Sequence, residues 1–166
     1  LPVTCRSVLR PLPLLKIRFI ADSTVGKLSR LLRMAGIDTT TATGRTITET
    51  ADQALESSRI LLSSNRSLLK QSRITFGRLV RSPAAISQFK DLRDTFNLVP
   101  LFEPFSRCMK CNGSLLPAAK ENILGHLEPL TIRYYNKFKI CDSCGSIYWP
   151  GSHHEKMSAE FEQLLK

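Results

Sequence analysis

The stretch Lys16-Ile17-Arg18-Phe19-Ile20-Ala21-Asp22 runs through Ser23-Thr24-Val25-Gly26 into Lys27-Leu28-Ser29-Arg30-Leu31-Leu32-Arg33-Met34-Ala35-Gly36, and its hydrophobic period changes once along the way. Lys16 to Ala21 alternates polar with apolar and then becomes fully apolar, the pattern of a strand entering a core. From Thr24 to Ala35, residues Val25, Leu28, Leu31, Leu32 and Ala35 recur at helical spacing, with Lys27, Arg30 and Arg33 as a stripe on another face. Gly36 supplies the stop. A strand, a turn and a basic amphipathic helix make the opening unit of a layered α/β fold.

Working outward, the same alternation continues. A short strand is expected after Ile37, a helix from about Thr48 to Ser58, and an apolar strand from Arg59 to Leu62 ending at Ser63-Ser64-Asn65. A helix near Arg66 to Lys70, a strand across Ile74 to Val80 and a helix from Pro83 to Phe96 follow, with Asn97 to Phe105 as the exit. Strands that alternate with helices imply a parallel sheet with helical crossovers. In such sheets functional residues lie where strands end in loops, and Asp22 and Asn65 hold two of those places. Asp91 and Asp94 fall on the Pro83 helix, where they read as solvent-facing.

Farther on stand two Cys-x-x-Cys pairs, Cys108/Cys111 and Cys141/Cys144, separated by 29 residues. Each pair presents two thiolates from one turn at the spacing tetrahedral zinc needs, so together they specify a zinc ribbon. Asn112-Gly113 and Gly145 follow the second cysteines, where the chain must turn for backbone N–H groups to face sulfur. Tyr134-Tyr135 and the Lys137-Phe138-Lys139-Ile140 alternation read as ribbon strands, and Ile147-Tyr148-Trp149-Pro150-Gly151 closes it. Ser152 with Glu155 reads as a capping box for a last helix whose inner face is Met157, Phe161, Leu164 and Leu165. A ribbon of this size buries too little apolar surface to fold alone, so structural zinc is expected to hold it. His153 and His154 beside it read as packing or capping residues, since four cysteines complete the coordination. Paired Cys-x-x-Cys motifs of this kind belong to a reducing compartment, with Cys5 an unpaired thiol.

The formal net charge is +10 and unevenly placed: residues 1–105 hold 16 Lys/Arg against 8 Asp/Glu, and residues 106–166 hold 8 against 6. Between Glu56 and Asp91 there is no acid, while Arg59, Arg66, Lys70, Arg73, Arg78, Arg81 and Lys90 all fall there. Such a stretch attracts a polyanion. No apolar run approaches the roughly 20 residues that span a bilayer, so no membrane partner is expected. Leu1 to Ala21 carries Arg6, Arg10, Lys16 and Arg18 with no acid, which reads either as the remnant of an organellar targeting segment or as the cut end of a longer chain, with residues 1–15 as an N-terminal extension. The expected division is this extension, an α/β domain over 16–105, and a ribbon with terminal helix over 106–166.

Phe19-Ile20-Ala21-Asp22, Gly26-Lys27-Leu28, Arg30, Leu32-Arg33, Gly36, Asp38 and Arg59-Ile60-Leu61-Leu62 resemble the PIN-like ribonuclease domain found at the C-terminus of the Mut-seven exonuclease. The ribbon carries the resemblance further, through Phe105-Ser106-Arg107-Cys108, Cys111-Asn112-Gly113, Phe138, Cys141, Cys144-Gly145, Ile147-Tyr148-Trp149, Gly151-Ser152-His153 and Met157. The likeness implies a PIN fold in which acids at the carboxyl ends of strands hold Mg²⁺ or Mn²⁺ and activate water to cleave RNA. Asp22 matches the first acid and equally reads as a helix N-cap, and Glu49 and Asp52 are the candidates for the second or simply complement the N-terminus of their helix. Where the family has Thr-Arg-Asp, this chain has Ser63-Ser64-Asn65.

An amide at Asn65 offers a metal a carbonyl oxygen without charge, and Arg59, Arg66 and Lys70 oppose a dication. The expectation is therefore an RNA-binding protein derived from a ribonuclease, with weakened or lost catalysis, or alternatively an active Mg/Mn-dependent ribonuclease. Lys27, Arg30 and Arg33 with Arg59, Arg66, Lys70, Arg73, Arg78 and Arg81 are the expected RNA contacts. A ribonucleoprotein, such as an organellar ribosome with its RNA and neighbouring proteins, suits these features; mitochondrion, plastid and cytoplasm all fit.

Overall fold

Strand β1 (Phe19–Ala21) is buried at all three positions and leads directly into Asp22. It pairs in parallel with β3 (Ile60–Ser63), Phe19 opposite Ile60 and Ala21 opposite Leu62, and β3 pairs in parallel with β4 (Gly77–Leu79), Leu61 opposite Gly77. With β2 (Thr39–Thr41) added, the sheet has the order β2-β1-β3-β4. Helix α1 (Gly26–Met34) follows β1, α2 (Ile47–Glu56) follows β2, and α3 (Arg66–Leu69) follows β3. The protein is thus an α/β fold with a parallel sheet flanked by helices, as its alternating pattern predicts. This description rests on a computed structural model that covers residues 16–44 and 46–165, so the N-terminal extension expected over 1–15 and Cys5 lie outside the described residues.

Two compact units arise, one of residues up to 26 with 40–81 and the other of 27–39 with 82 onward. In the first, Ile20 and Leu61 of the sheet pack with Ala51 and Ala54 of α2 and Leu68 of α3, with Ile74 and Leu69 at the edge. Buried apolar area of this kind stabilises the unit by about 25 cal/mol per Å². The tight α2 packing follows from Ala51 and Ala54, whose small side chains let the helix approach the sheet closely.

In the second unit, α1 ends where Gly36 takes a positive φ of 85°, and a side chain there would clash with the Glu103 carbonyl oxygen. Helix α4 (Ala85–Thr95) and the terminal helix α6 (Ser152–Leu165) pack through Phe89, Phe102, Phe161 and Phe105, successive ring centroids standing 5.9, 5.9 and 6.2 Å apart. Strands β5 (Leu115–Ala118), β6 (Phe138–Cys141) and β7 (Ile147–Tyr148) form an antiparallel three-stranded ribbon, Leu115 opposite Cys141 and Ile140 opposite Ile147.

Three local expectations are corrected. Tyr134 ends a helix, α5 (Pro129–Tyr134), instead of lying in a strand, because Pro129 sits at its first position with φ already set for a helix. Ser152 is the first residue of α6 and not its cap: the Glu155 N–H donates to the Gly151 carbonyl at 3.1 Å, which places the cap at Gly151. Leu165, read as part of the inner face, is 50 % exposed, whereas Met157, Phe161 and Leu164 are buried.

Candidate functional site

The ribbon gathers four cysteines that could hold a metal ion. All four Sγ atoms of Cys108, Cys111, Cys141 and Cys144 lie within 4.8 Å of one another, and none is in a disulfide. Cys108 and Cys144 stand 3.6 Å apart and Cys111 and Cys141 3.4 Å apart. A tetrahedral zinc with Zn–S bonds of about 2.3 Å spaces its sulfurs by about 3.8 Å, so the cluster fits zinc closely. The Gly113 N–H donates to Cys111 Sγ at 3.4 Å, and Asn112 and Gly145 take positive φ values of 74° and 69°, the turns that let such donors face sulfur. Tyr148 completes the wall: its hydroxyl lies 3.1 Å from Cys108 Sγ and accepts from the Met109 N–H at 3.2 Å. Burial and the neighbouring Cys108 thiol push the Tyr148 phenol well above its ordinary range, so it stays a donor to sulfur.

Sequence reasoning missed what holds the first knuckle. Arg33 is only 4 % exposed. Its Nε donates to the Thr39 carbonyl at 2.7 Å and its Nη1 to the carbonyls of Met109 and Lys110, both at 3.0 Å. Asn112 accepts from the Thr39 N–H at 2.9 Å and donates to Asp38 at 2.8 Å, while Arg107 donates to the Gly36 and Asn112 carbonyls at 3.1 Å. Burial lowers the Arg33 pKa from its ordinary value, and the Cys108 and Cys111 thiolates oppose that shift. The basic stripe is therefore divided: Lys27 and Arg30 are exposed, and Arg33 is structural.

In the first unit, Asp22 is buried and uses both carboxylate oxygens. Oδ1 accepts from the Thr24 N–H at 2.9 Å and the Thr24 hydroxyl at 2.5 Å, capping the single 3-10 turn Ser23–Val25, and Oδ2 accepts from the Ser63 hydroxyl at 2.5 Å. Ser63 Oγ in turn accepts from the Asn65 N–H at 2.8 Å. The Asn65 carboxamide oxygen accepts from the N–H groups of Ser67 and Leu68 at 2.9 and 3.3 Å, the N-cap of α3. Glu49 closes a capping box with Thr46, and both carboxylate oxygens of Asp52 accept from Arg73 Nη1, at 2.6 and 2.8 Å.

The acids expected to share a dication are thus held in separate networks. Among the described residues the four cysteines are the one group of three or more His, Cys, Asp or Glu side chains arranged to hold an ion. Asp22, Glu49 and Asp52 do not form such a group. The other expected RNA contacts divide too. Arg66, Lys70 and Arg81 are exposed, Arg78 is half-buried, Arg59 donates to the Phe19 carbonyl at 3.1 Å, and Arg73 is engaged by Asp52.

The architecture is a parallel α/β sheet followed by an antiparallel ribbon that gathers four cysteines. The chain belongs to the Mut7-C RNAse domain family, whose model matches residues 17–161. Membership carries a ribonuclease-like, RNA-related function. No curated protein and no solved structure matches the chain. No helix among the described residues is long and apolar enough to cross a membrane.

Proposed function

We propose that this chain is an RNA-binding member of the family whose ribonuclease centre is weakened or lost, and that it serves as an RNA-clamping subunit of a ribonucleoprotein, such as an organellar ribosome. The observation that carries the reading is the use made of Asn65. Where the resemblance leads to an acid, this chain has a neutral amide whose oxygen is committed to the α3 N-terminus. Asp22 is left as a lone carboxylate saturated by Thr24 and Ser63, with Glu49 and Asp52 bonded elsewhere. One carboxylate attracts a divalent cation less than a cluster of acids does, which weakens any activation of water on a phosphodiester. The exposed Lys27 and Arg30 in one unit, and Arg66, Lys70 and Arg81 in the other, are suited to phosphate contact, and the net charge of +10 favours it.

The test is to incubate the full chain with single-stranded RNA and Mn²⁺, scoring cleavage and retention together. Salt-sensitive binding with cleavage at background is the expected result. Mn²⁺-dependent cleavage that Asp22→Asn abolishes would overturn it in favour of an active ribonuclease. Purification of the native protein with its particle is expected to bring RNA with it.

A further inference from the structure

We propose that a cleft within the second unit is a binding site for unpaired nucleobases of single-stranded RNA, with Trp149 as the stacking platform. The inference rests on the RNA-binding reading above and gives it a second, non-catalytic point of contact. The cleft has a volume of about 740 Å³, within the roughly 300–1,000 Å³ of ligand-sized sites. Its walls come from Arg30 on α1, Met109-Lys110 of the first zinc knuckle, Tyr135, Tyr148-Trp149 and the start of α6 with His153.

Chemistry selects the occupant. Among the described residues that line the cleft none carries a carboxylate, while Arg30 and Lys110 are exposed cations at its edge. Three aromatic side chains share the space with them. Cations beside aromatic faces are what single-stranded nucleic acid asks for, phosphates meeting the first and bases the second. A polypeptide partner would not need that combination, and a duplex would keep its bases stacked on one another.

The aromatic wall is also preorganised. Tyr148 is fixed through its hydroxyl by Cys108 Sγ and the Met109 N–H, so the zinc centre holds the ring in place. Trp149 is braced by Phe138, with ring centroids 6.5 Å apart, yet remains 37 % exposed. Gly151 keeps the space open: a Cβ there would meet the indole Nε1 at 2.9 Å and the Tyr135 hydroxyl at 3.5 Å. Rings held in this way lose little conformational entropy when a base stacks on them.

The chain contains one tryptophan, so its fluorescence reports binding beside Trp149. Titrating the zinc-loaded protein with a short oligouridylate should quench that emission saturably, and the same strand annealed to oligoadenylate should quench it much less. Trp149→Ala should weaken oligouridylate binding about 5- to 100-fold, as loss of one base stack does, while Trp149→Phe keeps most of the affinity. Lys110→Ala should lower the salt slope by about 0.7. Zinc content verifies that each variant is folded. If oligouridylate binds in a filter assay but Trp149 emission is unchanged and Trp149→Ala binds normally, the cleft assignment is wrong and the RNA-binding reading stands. If no RNA binds at low salt, the RNA-binding reading itself is wrong.

Discussion

The buried guanidinium of Arg33 donates through Nη1 to the backbone carbonyl of Lys110 at 3.0 Å, joining α1 to the loop between the two cysteines of the first knuckle. Four thiolates around one Zn²⁺ leave the centre with two surplus negative charges, and a cation fixed nearby offsets them. Arg33 is that cation, and its three backbone acceptors, Thr39, Met109 and Lys110, fix where it sits. A residue that reads as an RNA contact is instead part of the support of a metal site.

Replacing Arg33 by Ala removes the donor from three carbonyls and the charge from beside the sulfurs. The expected cost is about 2–4 kcal/mol of stability in urea unfolding, with faster zinc release to a chelator. Arg33→Lys should restore only part of the loss, because an ammonium cannot match the planar fork. Wild-type release kinetics in Arg33→Ala would show that the knuckle does not depend on it.

Metal removal should unfold the ribbon. Structural zinc of this type contributes about 10–16 kcal/mol of apparent binding energy near neutral pH, which a three-stranded sheet of short strands cannot replace. Because zinc takes up thiolates, protons compete with it, and affinity falls as pH falls. Alkylation at neutral pH should therefore be fast at the cysteines of the chelated protein, and the zinc-loaded protein should resist.

Much of this was legible before any coordinates. Period-two and period-3.6 patterns place β1, α1, β3 and α4, and the Cys-x-x-Cys spacing finds all four ligands of the ribbon. The signal for Glu49 was also present, since Thr46 and Glu49 have capping-box spacing. Arg33 was hidden for a geometric reason. A spacing of three residues turns a helix by about 300°, so the stripe from Lys27 to Arg33 drifts by about 120° toward the buried side. What covers that side is a loop 76 residues downstream, which no local pattern reveals. The Asp52 to Arg73 pair, 21 residues apart, is non-local in the same way.

RNA contact by exposed cations should show in salt dependence. Lys27→Ala combined with Arg30→Ala is expected to reduce the slope of log affinity against log salt by about 1.4 on single strands, if each lysine or arginine neutralises one phosphate. Both side chains are exposed, so thermal stability should change little. An unaltered slope would remove this face of α1 from the RNA surface.

Glu49 and Asp52 are separable from any metal chemistry by the kind of loss they cause. Glu49→Gln should cost a few tenths of a kcal/mol through the weakened cap, and Asp52→Asn about as much through its exposed pair with Arg73, without altering RNA retention. Thermal melts and filter binding on the same samples read both quantities. A selective loss of Mn²⁺ response in either variant would return that residue to the catalytic set.

Asn65→Asp is the most direct test of what silences the centre. Aspartate caps helices as well as asparagine does, so its carboxylate can still accept from Ser67 and Leu68 and the fold should hold, with a change in stability of about 0.5 kcal/mol or less. The substitution adds a negative charge beside the Ser63 hydroxyl that already bonds Asp22. The added negative charge raises the local attraction for a divalent ion and offsets the repulsion from Arg66 and Lys70. Mn²⁺ should then stabilise Asn65→Asp against heat more than it stabilises the parent, and cleavage of single-stranded RNA should rise above background. If the variant melts normally and gains neither Mn²⁺ stabilisation nor cleavage, the amide at 65 is not the cause, and the separation of Glu49 and Asp52 from Asp22 must be.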